Sequence, residues 1–162
     1  MVVADSSGLI PLAWVGRLDL VSETFDELRT TEEVRAEVLV DGMRGTAALK
    51  EFLTDVIVHD TPARAGAVAS MEGLAVADAS VILLAEAEDA LILANDKGLI
   101  EAARSHDVEC WWVTTLLLDA AAEGDLSADE AADVLYELVN AGMNLHLTVY
   151  SQVQRKLREL GD

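Results

Sequence analysis

The sequence predicts a three-layer α/β fold: a parallel sheet of four or five strands between helices, followed by a pair of C-terminal helices. Three observations carry that expectation. Short apolar β-prone runs alternate with helical patterns, the arrangement that builds a parallel sheet through crossovers. The first run, Val2-Val3-Ala4, stops at Asp5-Ser6-Ser7 with a helical pattern beginning at once, which is how a buried parallel strand delivers a carboxylate to a sheet edge. The chain, at 162 residues, is long enough for one such domain and short for two.

Taken in order, Leu9, Ile10, Leu12, Ala13 and Trp14 suit a short helix that Gly16 ends, and Leu18, Leu20, Val21 and Phe25 form a second apolar stripe. Leu28-Arg29-Thr30 reads as a strand. Thr30 or Thr31 then caps a helix running through Glu32, Glu33, Val34, Glu37 and Val38 to Gly42, with acids in the first turn as the helix dipole prefers. Thr46 to Leu53 is a further helix and Val56-Ile57-Val58 a strand, after which Thr61-Pro62 breaks the chain. Glu72 to Glu86 reads as one long helix, and Ala90 to Ala94 as a buried strand ending in Asn95-Asp96. Lys97 to Ser105 follows as a helix, Val108 to Val113 as a strand, and Leu116 to Ala122 closes the core. Ser127 with Glu130 is a capping box that opens a helix to Asn140, where Gly142 stops it. A last helix spans Leu147 to Leu160 and carries Arg155, Lys156 and Arg158. These boundaries place an α/β domain over residues 1–124 and a helical extension, packed on it, over 125–162.

Composition narrows the chemistry. Thirty acidic residues against 11 basic ones give a net charge of −19. Phosphate contacts normally supply the affinity of a nucleic-acid binder, so either the partner is something else or the protein works where salt screens the repulsion. At molar salt the screening length is roughly 3 Å. Few lysines with many Asp, Glu, Ala and Val match a protein of a salt-loving archaeal cytoplasm, and an acidic protein of other origin is the alternative. Cys110 is the lone cysteine, which excludes an internal disulfide and a thiolate cluster. His59, His106 and His146 lack zinc-ligand spacing, so any metal is held by oxygen. No apolar segment has bilayer length, and Asp5 interrupts the N-terminus before a signal peptide could form. The expectation is a cytoplasmic protein without a membrane.

Acids at strand ends and on apolar helices are the residues to explain. In open α/β sheets the ligand crevice lies beyond the carboxyl ends of the strands, where strand order reverses. The strands ending at Asp5 and Asp96 are expected side by side there, although Asn95-Asp96-Lys97-Gly98 is also ordinary turn chemistry. Asp78 sits in Leu74-Ala75-Val76-Ala77-Asp78-Ala79-Ser80-Val81-Ile82, a helix apolar nearly all round, where an ionised acid is costly unless paired or bound to a cation. A partly exposed helix face would explain it too. Glu37 shares a face with Glu33 and Asp41, and like charges one turn apart repel, so either a bound cation or a solvated acidic face accounts for them. Four acids from four segments, with no Cys or His beside them, favour a hard ion such as Mg²⁺ or Mn²⁺.

The segments Val3-Ala4-Asp5-Ser6-Ser7-Gly8-Leu9-Ile10, Val34-Arg35-Ala36-Glu37, Ala77-Asp78-Ala79-Ser80-Val81-Ile82 and Ala94-Asn95-Asp96-Lys97-Gly98-Leu99 resemble, in order and rough spacing, the four acidic motifs of PIN-domain ribonucleases. The resemblance covers about Met1 to Val113. It implies a PIN-like fold, Asp5, Glu37, Asp78 and Asp96 as catalytic metal ligands, and Ser7 as the hydroxyl supporting the first acid. It also implies an RNA substrate. The family includes VapC toxins, small homodimers neutralised by an antitoxin protein, so such a partner enters as an expectation. The chain departs from the family in charge: Arg29, Arg35, Arg44, Arg64, Lys97 and Arg104 are the few cations outside the tail that could hold RNA.

Other classes fit less well. A phosphoryl-accepting receiver domain needs an acid pair after its first strand, and a nucleotide-binding domain needs a glycine-rich turn. Trp111 and Trp112 are adjacent on a strand and point to opposite faces, so at most one could stack a base. The rival reading is a catalytically silent interaction module with a salt-adapted acidic surface.

Overall fold

The structure is a computed structural model and describes residues 1–161. Five parallel strands form one sheet in the order β3-β2-β1-β4-β5, where β1 is Val2–Ala4, β2 Leu28–Thr31, β3 Ile57–His59, β4 Leu91–Leu93 and β5 Cys110–Trp111. From β1 the chain winds outward to β2 and β3, then crosses back to lay β4 on the other side of β1. The order therefore reverses between β1 and β4, whose register pairs Val2 with Leu91 and Ala4 with Leu93. All three residues of β1 are buried, as expected of a central strand covered on both faces.

Ten helices surround the sheet among the described residues: α1 Ser6–Trp14, α2 Asp19–Thr24, α3 Glu32–Val38, α4 Thr46–Leu53, α5 Ala65–Glu72, α6 Val76–Glu88, α7 Lys97–Ser105, α8 Val113–Glu123, α9 Ala128–Ala141 and α10 Leu147–Gly161. Helix α6 packs across β2, β1 and β4, with Ala79, Val81 and Ile82 fully buried. Helix α8 packs on β5, and α9 and α10 pack on α8 and on each other. Leu135, Leu138, Val153 and Leu157 of the last two helices belong to the same apolar cluster as Val2 and Val3. Each such side chain removed from water contributes roughly 1.5–3 kcal/mol, which is what holds the tail to the body.

Three boundaries differ from the sequence expectation. Helix α3 stops at Val38 rather than Gly42, because Leu39 leaves helical geometry and the chain turns through Gly42 at φ 82°. The helix expected from Glu72 to Glu86 begins only at Val76, after Ala75 in extended geometry; Glu72 instead ends α5, a helix that the sequence reading did not give, which Gly73 at φ 69° closes and which meets α6 at a bend of 115°. A left-handed glycine is an ordinary helix stop, and its place inside an apolar run hid it. The strand read over Val108 to Val113 is two residues long, since Val113 already begins α8. His106 fastens the bent pair: its Nε2 meets Glu72 at 2.8 Å and its Nδ1 meets Glu86 at 2.9 Å. The hydrogen bond to Glu72 is the main reason its pKa is raised.

Gly8 sets how closely α1 lies on β4. A Cβ there would stand 2.9 Å from the Leu93 carbonyl oxygen and 3.2 Å from Leu93 Cγ. Gly8→Ala is expected to cost about 1–3 kcal/mol by urea unfolding, because the backbone of β4 must move. Equal stability would show that the helix shifts freely. No single helix among the described residues is long and apolar enough to cross a membrane.

A candidate metal centre of four carboxylates

Asp5 follows β1 and caps α1. Its backbone N–H donates to the Leu93 carbonyl at 3.0 Å, fixing it against β4. Its Oδ2 accepts from the Ser7 N–H at 3.0 Å and from the Ser7 hydroxyl at 2.6 Å. Asp5 is 2% exposed, and its Oδ1 is buried with no protein partner. The Ser7 hydroxyl also accepts from the Asn95 N–H at 2.9 Å, and Asn95 Nδ2 donates to the Asn144 carbonyl at 3.1 Å. One hydroxyl thus joins the acid after β1 to the end of β4, and Asn95 extends the link to the turn between α9 and α10.

Asp96 caps α7, accepting from the Leu99 N–H through Oδ1 at 3.1 Å. The turn reading is therefore correct as far as it goes, but the cap uses one oxygen of an exposed carboxylate. Glu37 lies on α3, and its Oε2 accepts from the Ser6 hydroxyl at 2.7 Å. Adjacent serines at the start of α1 hold two of the four acids. Of the acids grouped with Glu37 by spacing, Glu33 turns to the Thr61 hydroxyl at 3.3 Å, and Asp41 lies beyond the helix end.

Asp78 sits half-buried in the first turn of α6. Burial raises its pKa to about 6, with further upward pushes from Asp5, Asp96 and Glu37. Asp5 is raised too, first by burial, with Glu37 adding to it and the Ser7 hydrogen bonds opposing. Repulsion of this kind requires nearness, so Asp78 lies within electrostatic reach of Asp5, Asp96 and Glu37, on the side of the sheet where β1 and β4 end. Among the described residues no group of three His, Cys, Asp or Glu is already drawn into metal-ligating geometry. The donor set nevertheless fits a hard divalent ion: four carboxylates, a bare buried Oδ1 and no thiolate or imidazole.

Buried hydroxyls that sequence reading took at most for a helix cap set the spacing of the two helical acids. Ser80 donates to the Ala77 carbonyl at 2.6 Å, so its oxygen accepts from the Thr31 hydroxyl at 2.8 Å, and Thr31 in turn accepts from the Val34 N–H at 3.3 Å. This chain ties the start of α3 to the start of α6. The signal was available: Ser80 is a polar residue on the apolar helix that also carries Asp78.

The surrounding cations are mostly committed. Arg29 lies between Glu27, Glu88 and His59 with its side chain 16% exposed, so it cannot serve RNA as its sequence position allowed. Arg35 pairs with Glu32 and Lys97 with Glu101. Trp111 packs against Phe25 with ring centroids 5.3 Å apart and planes tilted by 56°, and belongs to the core's margin, as does Trp112.

The parallel α/β domain carries acids at the ends of β1 and β4, where the strand order reverses. The chain matches the family model DUF3368, described as a PIN domain, over residues 1–159, and it belongs to that family. Domains of this family are generally nucleases and typically use divalent metals. The crystal structure of PAE2754 from Pyrobaculum aerophilum is similar in fold, with a TM-score of 0.56 at 24% identity over 75% of this chain and 96% of that one. No curated protein matches the chain.

Proposed function

We propose that the protein is a divalent-metal-dependent ribonuclease that hydrolyses RNA phosphodiester bonds, with Asp5, Glu37, Asp78 and Asp96 holding Mg²⁺ or Mn²⁺. The observation that carries this reading is the raised Asp78, pushed up first by burial and then by three other acids, together with a buried, unpartnered Asp5 oxygen. A fold keeps such repulsion where a cation offsets it. When bound, the divalent ion lowers the pKa of water and stabilises charge on the attacking and leaving oxygens of a phosphodiester.

The chain's own residues do the positioning. Ser7 orients Asp5, Ser6 orients Glu37, the Thr31–Ser80 pair spaces α3 from α6, and α7 fixes Asp96 through its cap. No side-chain nucleophile is required, since water is the attacking group. The same reading carries the toxin role, with an antitoxin protein as partner and a homodimer as the working form.

The test is cleavage of single-stranded RNA in molar KCl with MnCl₂, compared with EDTA. Asp96→Asn is expected to reduce the rate by about a hundredfold or more, the scale of losing one preorganised electrostatic contact. RNA that binds but is never cut, with or without manganese, would overturn the hydrolase and leave an interaction module.

A further inference from the structure

We propose that the cleft walled by α1, α3 and the turn from Leu39 to Gly45 is a subsite for one unstacked base of a single-stranded RNA. The choice of RNA rests on the nuclease reading. The base-binding geometry does not.

The cleft is a cavity of about 280 Å³ lined by Ile10, Trp14, Glu37, Val38, Met43 and Arg44. That is just under the roughly 300–1,000 Å³ of pockets for drug-sized ligands, so its occupant is small. The walls are apolar except for Glu37 and Arg44. Glu37 belongs to the acidic crevice as well, so a base seated here leaves its own phosphate beside the carboxylates.

Arg44 makes the cleft selective for a flat group. Its guanidinium carbon lies 4.1 Å from the centroid of the Trp14 ring, and its Nη2 donates to the Ala141 carbonyl at 2.6 Å. The guanidinium is thus held at two points, and Arg44 is exposed. Unstacked RNA bases are bound on guanidinium planes and aromatic faces. A base stacked on Arg44 would add a third layer to an existing pair. Arg44 also forms no carboxylate ion pair among the described residues, whereas Arg17, Arg29, Arg35 and Lys97 do. Its charge faces a carbonyl and a π surface, which leaves it able to attract a nucleotide to a chain of net charge −19.

Met43 supplies the rim. It is 60% exposed, yet its turn is ordered: its N–H donates to the Val40 carbonyl at 3.1 Å, and the Thr46 hydroxyl contacts the Val40 and Met43 carbonyls at 2.9 and 2.8 Å. Gly42 and Gly45, at φ 82° and 87°, give the turn its shape. A thioether held in water on a rigid turn gains by covering an aromatic ring.

The experiment is an NMR titration with AMP, CMP, GMP and UMP in molar KCl and EDTA, following the Trp14 indole N–H and the Met43 methyl. Both signals are expected to shift, with at least one base preferred. Met43→Ala and Arg44→Ala are expected to bind about tenfold more weakly, equivalent to about 1.4 kcal/mol and within the ~1–3 kcal/mol of stacking one base. Arg44→Lys keeps the charge and loses the plane, and is expected to bind as weakly as Arg44→Ala. Binding of Arg44→Lys equal to wild type would overturn the proposal, because charge alone would then suffice. So would shifts at Trp14 and Met43 from an amphipathic peptide with none from any nucleotide. Nucleotide binding without RNA cleavage would sink the nuclease and keep the subsite. Cleavage whose base preference is unchanged in Met43→Ala and Arg44→Ala would do the reverse.

Discussion

Asp5→Asn is expected to abolish manganese-dependent cleavage and manganese-dependent stabilisation together, while the protein folds as before. The carbonyl of an asparagine can replace Oδ2 and keep the hydrogen bonds from the Ser7 N–H and hydroxyl. Its amide would occupy the place of Oδ1, which has no protein partner. An unpartnered buried donor costs about 1–3 kcal/mol, but the buried charge that disappears also cost energy, as the raised pKa of Asp5 records. Stability in EDTA at neutral pH is therefore expected to stay close to wild type. A saturating ion at a hundred times its Kd adds about 2.7 kcal/mol to the wild type, and nothing to the variant. The rate is expected to fall by about a thousandfold, since the central ligand affects both charge and position. Urea unfolding with and without MnCl₂, beside an RNA cleavage assay, measures both. A variant still stabilised by manganese would remove Asp5 from the centre.

The sheet was legible because its signals are local. Val2 to Ala4 and Leu91 to Leu93 are short apolar runs that stop at polar residues, and a buried parallel strand leaves that trace in any sequence. The adjacency of β1 and β4 followed from topology, since acids after two strands of a doubly wound sheet face one crevice when the strands neighbour at the reversal. The break at Gly73 was not legible. Apolar and small residues continue on both sides of it, so periodicity alone neither showed α5, Ala65–Glu72, nor marked where α6 starts. Asp78 stood out because an acid on an apolar helix is conspicuous. Ser80 stood out on the same ground, but its pairing with Thr31 spans 49 residues of sequence and no spacing rule reaches that far.

Charge was legible as a sum and illegible as a distribution. The total of −19 suggested that phosphates would be repelled, yet it could not say which cations remain free. Arg29 and Arg44 look alike in sequence. One is enclosed by Glu27, Glu88 and His59, and the other stacks on Trp14 at the mouth of a cleft beside Glu37. Those placements assign Arg29 to holding the sheet edge and Arg44 to whatever approaches the acids. Adding up residues treats the two as equal; their partners separate them.

The acidic crevice should also make the protein less stable as pH rises toward neutrality when no divalent ion is present. Asp78 has a folded-state pKa of about 6, against 3.8 as its ordinary value, chiefly through burial and then through Asp5, Asp96 and Glu37. Between those two values the folded state binds more protons than the unfolded one, so unfolding free energy decreases with increasing pH. The favourable contribution is complete below about pH 3.8 and gone above about pH 6. About two pKa units correspond to about 3 kcal/mol, reduced to about 2 by the solvent that reaches a half-buried side chain. Asp5 shifts in the same direction and steepens the slope. In molar KCl the surface acids are screened over roughly 3 Å, so what remains comes from these acids and, close to pH 7, from His106, whose raised pKa acts in the same direction in both proteins. Urea unfolding in EDTA at pH 4.5 and 7 is expected to show the loss in the wild type and a much smaller one in Asp78→Asn. Manganese should reverse the sign for the wild type, because a cation favours the ionised carboxylate. Parallel slopes for the two proteins would mean that Asp78 lies outside the field of the other three acids.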